Sequence, residues 1–292
     1  MDDKYENYMI EIPLVPEVAA KIMQLNEDSD SLSSHNLTQL ISLDPYLSAS
    51  VLKIANSALY SRRSEIKELD TAVNLIGFKK IKTMTLLLAG ASLFQKNSNS
   101  YFYQLFWQHS IISAFICRDI ANFIKAEEKS DEYFTAALIH RIGEVPLYLS
   151  NTEKYLQLIE VNKNGDYILS KLELEMFDAN SCQIGGALLE YWGFPDSLIK
   201  AALYAGCAND QTETNLLVDA VTISDYITVQ IGFGIPEYIE EPKLQNLLKE
   251  TGVKQEQYEY LISEIYLEKL KKSSFFKECQ NTLNVQFISS EH

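Results

Sequence analysis

Residues 138–147 read LIHRIGEVPL. A histidine in an apolar helix, followed at once by a residue able to hold a metal, is how many phosphate-cleaving enzymes begin their site, because imidazole and carboxylate together seat a cation that activates water. Here His140 is followed by Arg141, whose guanidinium is always charged, donates only and ligates nothing. Glu144 shares a face with His140 if the helix continues, and Pro146 argues that it does not continue far. Other donors are scarce: of four histidines, His292 ends the chain and His35 falls in a polar stretch that reads as a turn. Cys117, Cys182, Cys207 and Cys279 are far apart and never form C-x-x-C, so neither a zinc knuckle nor a redox pair is written locally, and buried thiols are expected. There is no G-x-x-x-x-G-K, G-x-G-x-x-G or G-x-S-x-G, so phosphate loops and nucleophile elbows are not written either.

The residues that could do chemistry are carried by helices. Apolar residues recur at helical spacing in nearly every long segment and strand signals are almost absent, which predicts an all-α fold. In DPYLSASVLKIANSALY a stripe of Leu47, Val51, Ile54, Ala55 and Ala58 follows Asp44, a plausible N-cap, and Pro45, suited to the first helical position. A helix begun by Asp70 stops at Gly77, and the next runs from about Lys79 to Phe94. These make a helical N-terminal subdomain over 10–97. After the polar joint QKNSNS, FWQHSIISAFICRDIANFI, DEYFTAALIHRIGEV, ANSCQIGGALLEYWG and LVDAVTISDYITVQIG give a second helical subdomain over 98–238. EQYEYLISEIYLEKLKK, with Tyr258, Leu261, Ile262 and Ile265 on its apolar side, heads accessory helices over 239–292, for which packing on the domain is favoured over self-association.

The 292 residues can bury a sizeable core, and 47% hydrophobic with 22% charged residues is the balance of a globular protein. A formal charge of −15, from 40 acids against 25 bases, repels polyphosphates and disfavours nucleic acid and anionic membrane as partners. No leader or spanning stretch is apparent, so the expected location is the cytoplasm.

IPLVPEVAAKIMQL, LISLDPYLSASVLKIANSALY and AVNLIGFKKIKTMTLLLA, in that order, resemble the N-terminal half of the HDOD family, HD-related output domains of bacterial signalling proteins. FWQHS, AALIHRIGEV, IGGALLEYWGFP and VTISDYI resemble its HD-like half, so the likeness spans roughly 10–235. It implies an all-helical, cytoplasmic, usually non-catalytic domain that regulates by contacting other proteins. HD-type phosphohydrolases, which are similar in this half, hold an ion with a histidine, a His-Asp pair and a later aspartate. By that resemblance His109, His140 and Asp225 match, while Arg141 stands where the paired aspartate belongs. Where multi-metal forms carry further histidines, this chain has Ser181 before Cys182, and Ala205 with Gly206.

Without a cofactor or metal, the expected function is a stand-alone signal-transduction domain rather than an enzyme. Its output is contact with protein partners, homo-oligomerisation remaining open, and its input comes from a separate chain or a small ligand in the old metal pocket. Arg141 is expected to pair with Asp225 in the ion's place, the alternative being that it points to solvent; His109 and His140 also read as core histidines. The rival is a phosphohydrolase with a weakened site of His109, His140, Asp225 and Glu144, or an inactive nucleotide-binding sensor. A second candidate surface, Arg62 and Arg63 with Lys79, Lys80 and Lys82, would dock an acidic partner or a nucleotide if these are more than solvated charges.

Overall fold

The computed structural model describes residues 8, 17–25, 32–57, 60, 66–94, 100–207 and 215–286, and among them the regular structure is entirely helical. The all-α expectation holds. The N-terminal set comprises α1 (Glu17–Gln24), α2 (Leu32–Ser42), α3 (Pro45–Ala55), α4 (Leu69–Ile76) and α5 (Phe78–Leu93). Asp44 accepts from the Leu47 amide at 3.1 Å, so the cap before Pro45 forms as its sequence suggests. The helix then ends earlier than its apolar stripe, because Asn56 turns to bind both backbone groups of Ile66, each at 2.8 Å. Gly77 closes α4 with φ of 94°, the conformation that only glycine adopts without strain.

The central element is α6 (Tyr101–Phe123), started by Ser100, whose side chain caps the Tyr103 amide at 3.1 Å. It is apolar on all sides and buried on nearly all of them, because α7 (Ser130–Ile139) and α13 (Leu216–Gln230) lie along it while α17 (Ser274–Leu283) also reaches it. Phe94, just past α5, packs its ring on Phe102, Tyr103, Phe106 and Trp107 of α6, which ties the N-terminal helices to the rest through one aromatic core. Between α7 and α13 run α8 (Glu144–Ser150), α9 (Thr152–Val161), α10 (Leu169–Phe177), α11 (Ser181–Tyr191) and α12 (Asp196–Tyr204).

Several local expectations are corrected. DEYFTAALIHRIGEV is not one helix: α7 stops at Ile139, residues 140–143 turn, and Glu144 opens α8 with Pro146 in its first turn, where the missing N–H costs nothing. EQYEYLISEIYLEKLKK is also two helices, α15 (Gln255–Leu261) and α16 (Glu264–Lys272), which follow α14 (Glu241–Thr251). Ser263 caps the second by accepting from the Tyr266 amide, and this break swings Ile265 out to 76% exposure while Tyr258 and Leu261 stay buried. His35 sits in α2 beside Gln39 rather than in a turn. His292 lies outside the described residues.

Candidate functional site: a buried arginine among four acids

Three elements deliver the central groups. His109 comes from the middle of α6, His140 and Arg141 from the turn that ends α7, and Asp225 from the middle of α13. All four are buried, Asp225 with no exposed surface. The positions singled out in the sequence therefore do come together, although 116 residues separate the first from the last.

Arg141 does not point to solvent. Its Nε and Nη2 donate to the two oxygens of Asp225 at 2.7 and 3.0 Å, a fork on a carboxylate. Nη1 donates to Glu144 Oε1 at 3.1 Å, and Nη2 also reaches Glu237 Oε1 at 2.5 Å. One guanidinium is thus shared by three carboxylates on three elements. Burial works against its charge, but Asp225, Glu237 and Glu144 hold its pKa above the ordinary arginine value. Burial likewise opposes ionisation of Asp225, yet Arg141 holds that carboxyl well below the usual range. The other acids lack that two-oxygen fork: burial pushes Glu144, Glu237 and neighbouring Glu173 up to about 7, even against the pull of Arg141.

Both histidines converge on the same oxygen. His140 Nε2 lies 2.9 Å from Asp225 Oδ1, with Nδ1 2.7 Å from the carbonyl of Ala137. His109 donates from Nδ1 to the carbonyl of Phe233 at 3.1 Å. Its Nε2 is also 2.9 Å from Asp225 Oδ1, but it lacks hydrogen-bond geometry there and has no partner among the described residues. Burial, then the guanidinium of Arg141, push the His109 ring down to about 4, so it is neutral near pH 7. The ligand atoms of His109, His140 and Asp225 lie within 4.8 Å of one another, the spacing of a metal triad, with Arg141 inserted beside them.

The supporting shell is specific. Tyr155 donates to Glu173 Oε1 at 3.2 Å, and Ser181 gives both its amide and its hydroxyl to Glu173 Oε2 at 2.7 Å. Asn162 holds the loop carrying Glu237, donating to the carbonyls of Pro236 at 2.7 Å and Tyr167 at 3.2 Å. Gly206, with φ of 69°, packs against Asp225; a Cβ there would lie 2.5 Å from Oδ2. Glu237 and Glu173 were not foreseen as site residues, since 96 and 32 residues separate them from Arg141 and neither stands in a recognisable motif. Glu144 was foreseen only as a metal ligand, and its contact is the arginine.

The cysteines divide. Cys117 and Cys279 are buried thiols, as expected, and burial raises both. Cys182 and Cys207 are instead bonded to each other, a correction that spacing could not supply, because α11 and the end of α12 meet only in the folded chain.

In the second candidate surface, each of the three lysines has partners of its own. Lys79 pairs with Asp131 at 2.8 Å, Lys80 donates to the Tyr60 hydroxyl at 3.2 Å, and Lys82 donates to the carbonyls of Met23 and Leu25 at 3.1 and 2.8 Å, at the end of α1. Arg62 and Arg63 lie outside the described residues.

Comparison with known proteins places the fold. A Treponema pallidum (strain Nichols) protein of uncharacterised role is 24% identical over 189 residues, 65% of this chain and only 36% of its own length. A Marinobacter aquaeolei VT8 structure, provisionally called a signal transduction protein, matches with a TM-score of 0.75 and 21% identity over 97% of this chain and 62% of its own. A Shewanella amazonensis SB2B structure, provisionally called a phosphohydrolase, matches with a TM-score of 0.68 and 22% identity over 96% of this chain and 98% of its own. These likenesses establish the shared fold. Residues 12–206 match the HDOD domain, and the chain belongs to the HDOD family.

Proposed function

We propose that this chain is a non-catalytic regulatory domain of a signalling pathway that acts by contacting other proteins, its HD site held by an arginine in place of a metal. The observation that carries this reading is the seating of Arg141 on both oxygens of Asp225, which a metal-binding site would need free. The triad spacing and the His109 Nε2, which has no hydrogen-bond partner among the described residues, are the features that would suit an ion. Against it stands charge: a divalent cation about 4 Å from the guanidinium is repelled by roughly 8 kcal/mol at an effective dielectric of about 20. Evicting the guanidinium instead would break its fork on Asp225 and leave it only the single contacts to Glu144 and Glu237. The residues present therefore do not fit a divalent ion, and no hydrolytic step is assigned to them.

In its place the arginine fastens α13, the α7–α8 turn and the Glu237 loop to one another. What remains for function is surface, and a net charge of −15 suits a basic or apolar protein partner over nucleic acid. No helix among the described residues is long and apolar enough to cross a membrane.

The test is elemental mass spectrometry of untagged protein before and after incubation with manganese, iron, nickel and zinc. Less than about a tenth of an equivalent of any metal, with no nucleotide hydrolysis, is the expected result. About one equivalent that is lost in both His140→Ala and Asp225→Ala would replace this reading with a hydrolase.

A further inference from the structure

Beyond the arginine, the pocket beside His140 and Arg141 is walled by Ser181, Cys182, Ala205 and Gly206. Cys182 lies in the first turn of α11, and Cys207 three residues past the end of α12, 25 positions further along the chain. Their Cα atoms are 6.4 Å apart, within the span a disulfide bridges without backbone movement.

We propose that Cys182 and Cys207 form a reversible thiol–disulfide modification site whose chemical partner is a small-molecule disulfide of the glutathione class. Its covalent state sets how firmly the wall of the arginine pocket is held. Each cysteine is wired to a different part of that pocket. Ser181, next to Cys182, binds Glu173, and its carbonyl lies so near Gly143 that a Cβ on that glycine would approach to 1.9 Å; α11 is thereby set directly on the turn carrying Arg141. Gly206, next to Cys207, packs on Asp225, and its amide donates to Thr222 at only 3.3 Å, a long hydrogen bond. The Cys207 sulfur lies 3.3 Å from the carbonyl of Ala205, to which it can donate only as a free thiol. The disulfide is therefore the strong link that keeps residues 205–207 against α11. By contrast, Cys117 and Cys279 have no exposed surface, whereas Cys182 lines the pocket and Cys207 follows Gly206, which lines it too.

Cys182, the more exposed of the two at 8% against 3%, is the sulfur that meets the reagent. Its thiolate attacks one sulfur of the small disulfide, releasing one small thiol and leaving a mixed disulfide. The Cys207 thiolate then attacks the Cys182 sulfur and displaces the second small thiol. Two protein S–H bonds and one small-molecule S–S bond are lost; one protein S–S bond and two small-molecule S–H bonds form. Two electrons pass to the small disulfide, and both protons finish on the released thiols. Reduction is the same exchange reversed.

The full chain is equilibrated in buffers of oxidised and reduced glutathione at graded ratios, quenched with acid, alkylated under denaturing conditions and weighed. Two alkylated cysteines at oxidising ratios and four at reducing ones, with a midpoint inside the range glutathione can set, is expected. Cys182→Ser and Cys207→Ser should each abolish the transition, and Cys117→Ser should leave it. Amide exchange at residues 205–207 should be at least tenfold faster in the reduced protein while α13 is unchanged. From loop closure, the oxidised form should have an unfolding constant on the order of a hundredfold lower. Four free thiols at every ratio, a bond that survives the most reducing buffer, or equal exchange at 205–207 in both forms would each overturn the proposal. Thiol count and metal content are separate readouts, so this site can fail while the metal-free reading stands, and the reverse.

Discussion

Arg141 is the residue on which the site's stability turns. Removing one member of a buried ion pair leaves its partner charged and desolvated, at a typical cost of about 3–5 kcal/mol. Arg141→Ala should lower stability by that amount in urea unfolding, and an unchanged midpoint would mean that the guanidinium is not seated on Asp225. Arg141→Lys should recover only a part, since an ammonium cannot fork onto both oxygens. The acids make a second prediction, with opposite signs at the two ends of the pH scale. Glu144, Glu173 and Glu237 have folded pKa values raised to about 7, so between about 4.5 and 7 the folded chain holds protons that the unfolded chain has released. Their contribution is fully present below the unfolded value and lost as pH rises through 7. Asp225, held low, contributes above about 4 and loses that contribution as pH falls further. Urea midpoints should therefore be higher at pH 5.5 than at pH 8, and the double variant Glu144→Gln, Glu237→Gln should flatten that slope.

At the scale of elements, the turn between α7 and α8 does more than end a helix. It aims Arg141 inward, and Gly143 lets α11 approach until its own Cα faces the Ser181 carbonyl. Gly143→Ala should destabilise by about 2 kcal/mol or more, since the added methyl meets backbone rather than a side chain that can swing away. Ile265→Ser is the contrasting case. Although the residue is apolar, the break before α16 leaves it 76% exposed, so the change should stay within about 0.5 kcal/mol in the same assay. Of the two helix starts read from the sequence, Asp44 caps the helix it precedes, whereas Asp70 lies inside α4, whose cap position is Glu68 with no side-chain cap bond. Pro146 already argued against one continuous helix across the α7–α8 turn; the break before α16 was not readable, because Ser263 fits a helix start and a helix interior about equally until packing chooses.

Across the whole molecule, the C-terminal helices are part of the main core. Phe276 and Cys279 of α17 are fully buried, with Phe276 edge-on to Phe115 of α6. Tyr103 donates to the carbonyl of Leu283 at 2.8 Å, and Tyr266 to Asp119 at 2.8 Å. A polar chain from Lys80 through Tyr60 to Glu278 joins the N-terminal set to the same helix. A chain ending at residue 240 should therefore expose the Phe115 face and lose cooperative thermal unfolding, aggregating where the full chain stays in solution. Soluble, cooperative behaviour of the truncated chain would instead make α14–α17 a separable appendage.

Helical periodicity, cap residues and the HDOD-like stretches were legible in the sequence because each depends on neighbours within a few positions, as did the replacement of an acid by Arg141. The coming together of His109, His140 and Asp225 was legible through resemblance alone. What the tertiary structure decided was where that arginine's charge goes: Glu237 reaches it from a loop with no periodic pattern, held by Asn162, and Glu173 reaches the same pocket through Ser181. It also decided which cysteines meet. Such contacts join residues tens of positions apart, and long-range electrostatics and packing leave no local spacing from which to read them.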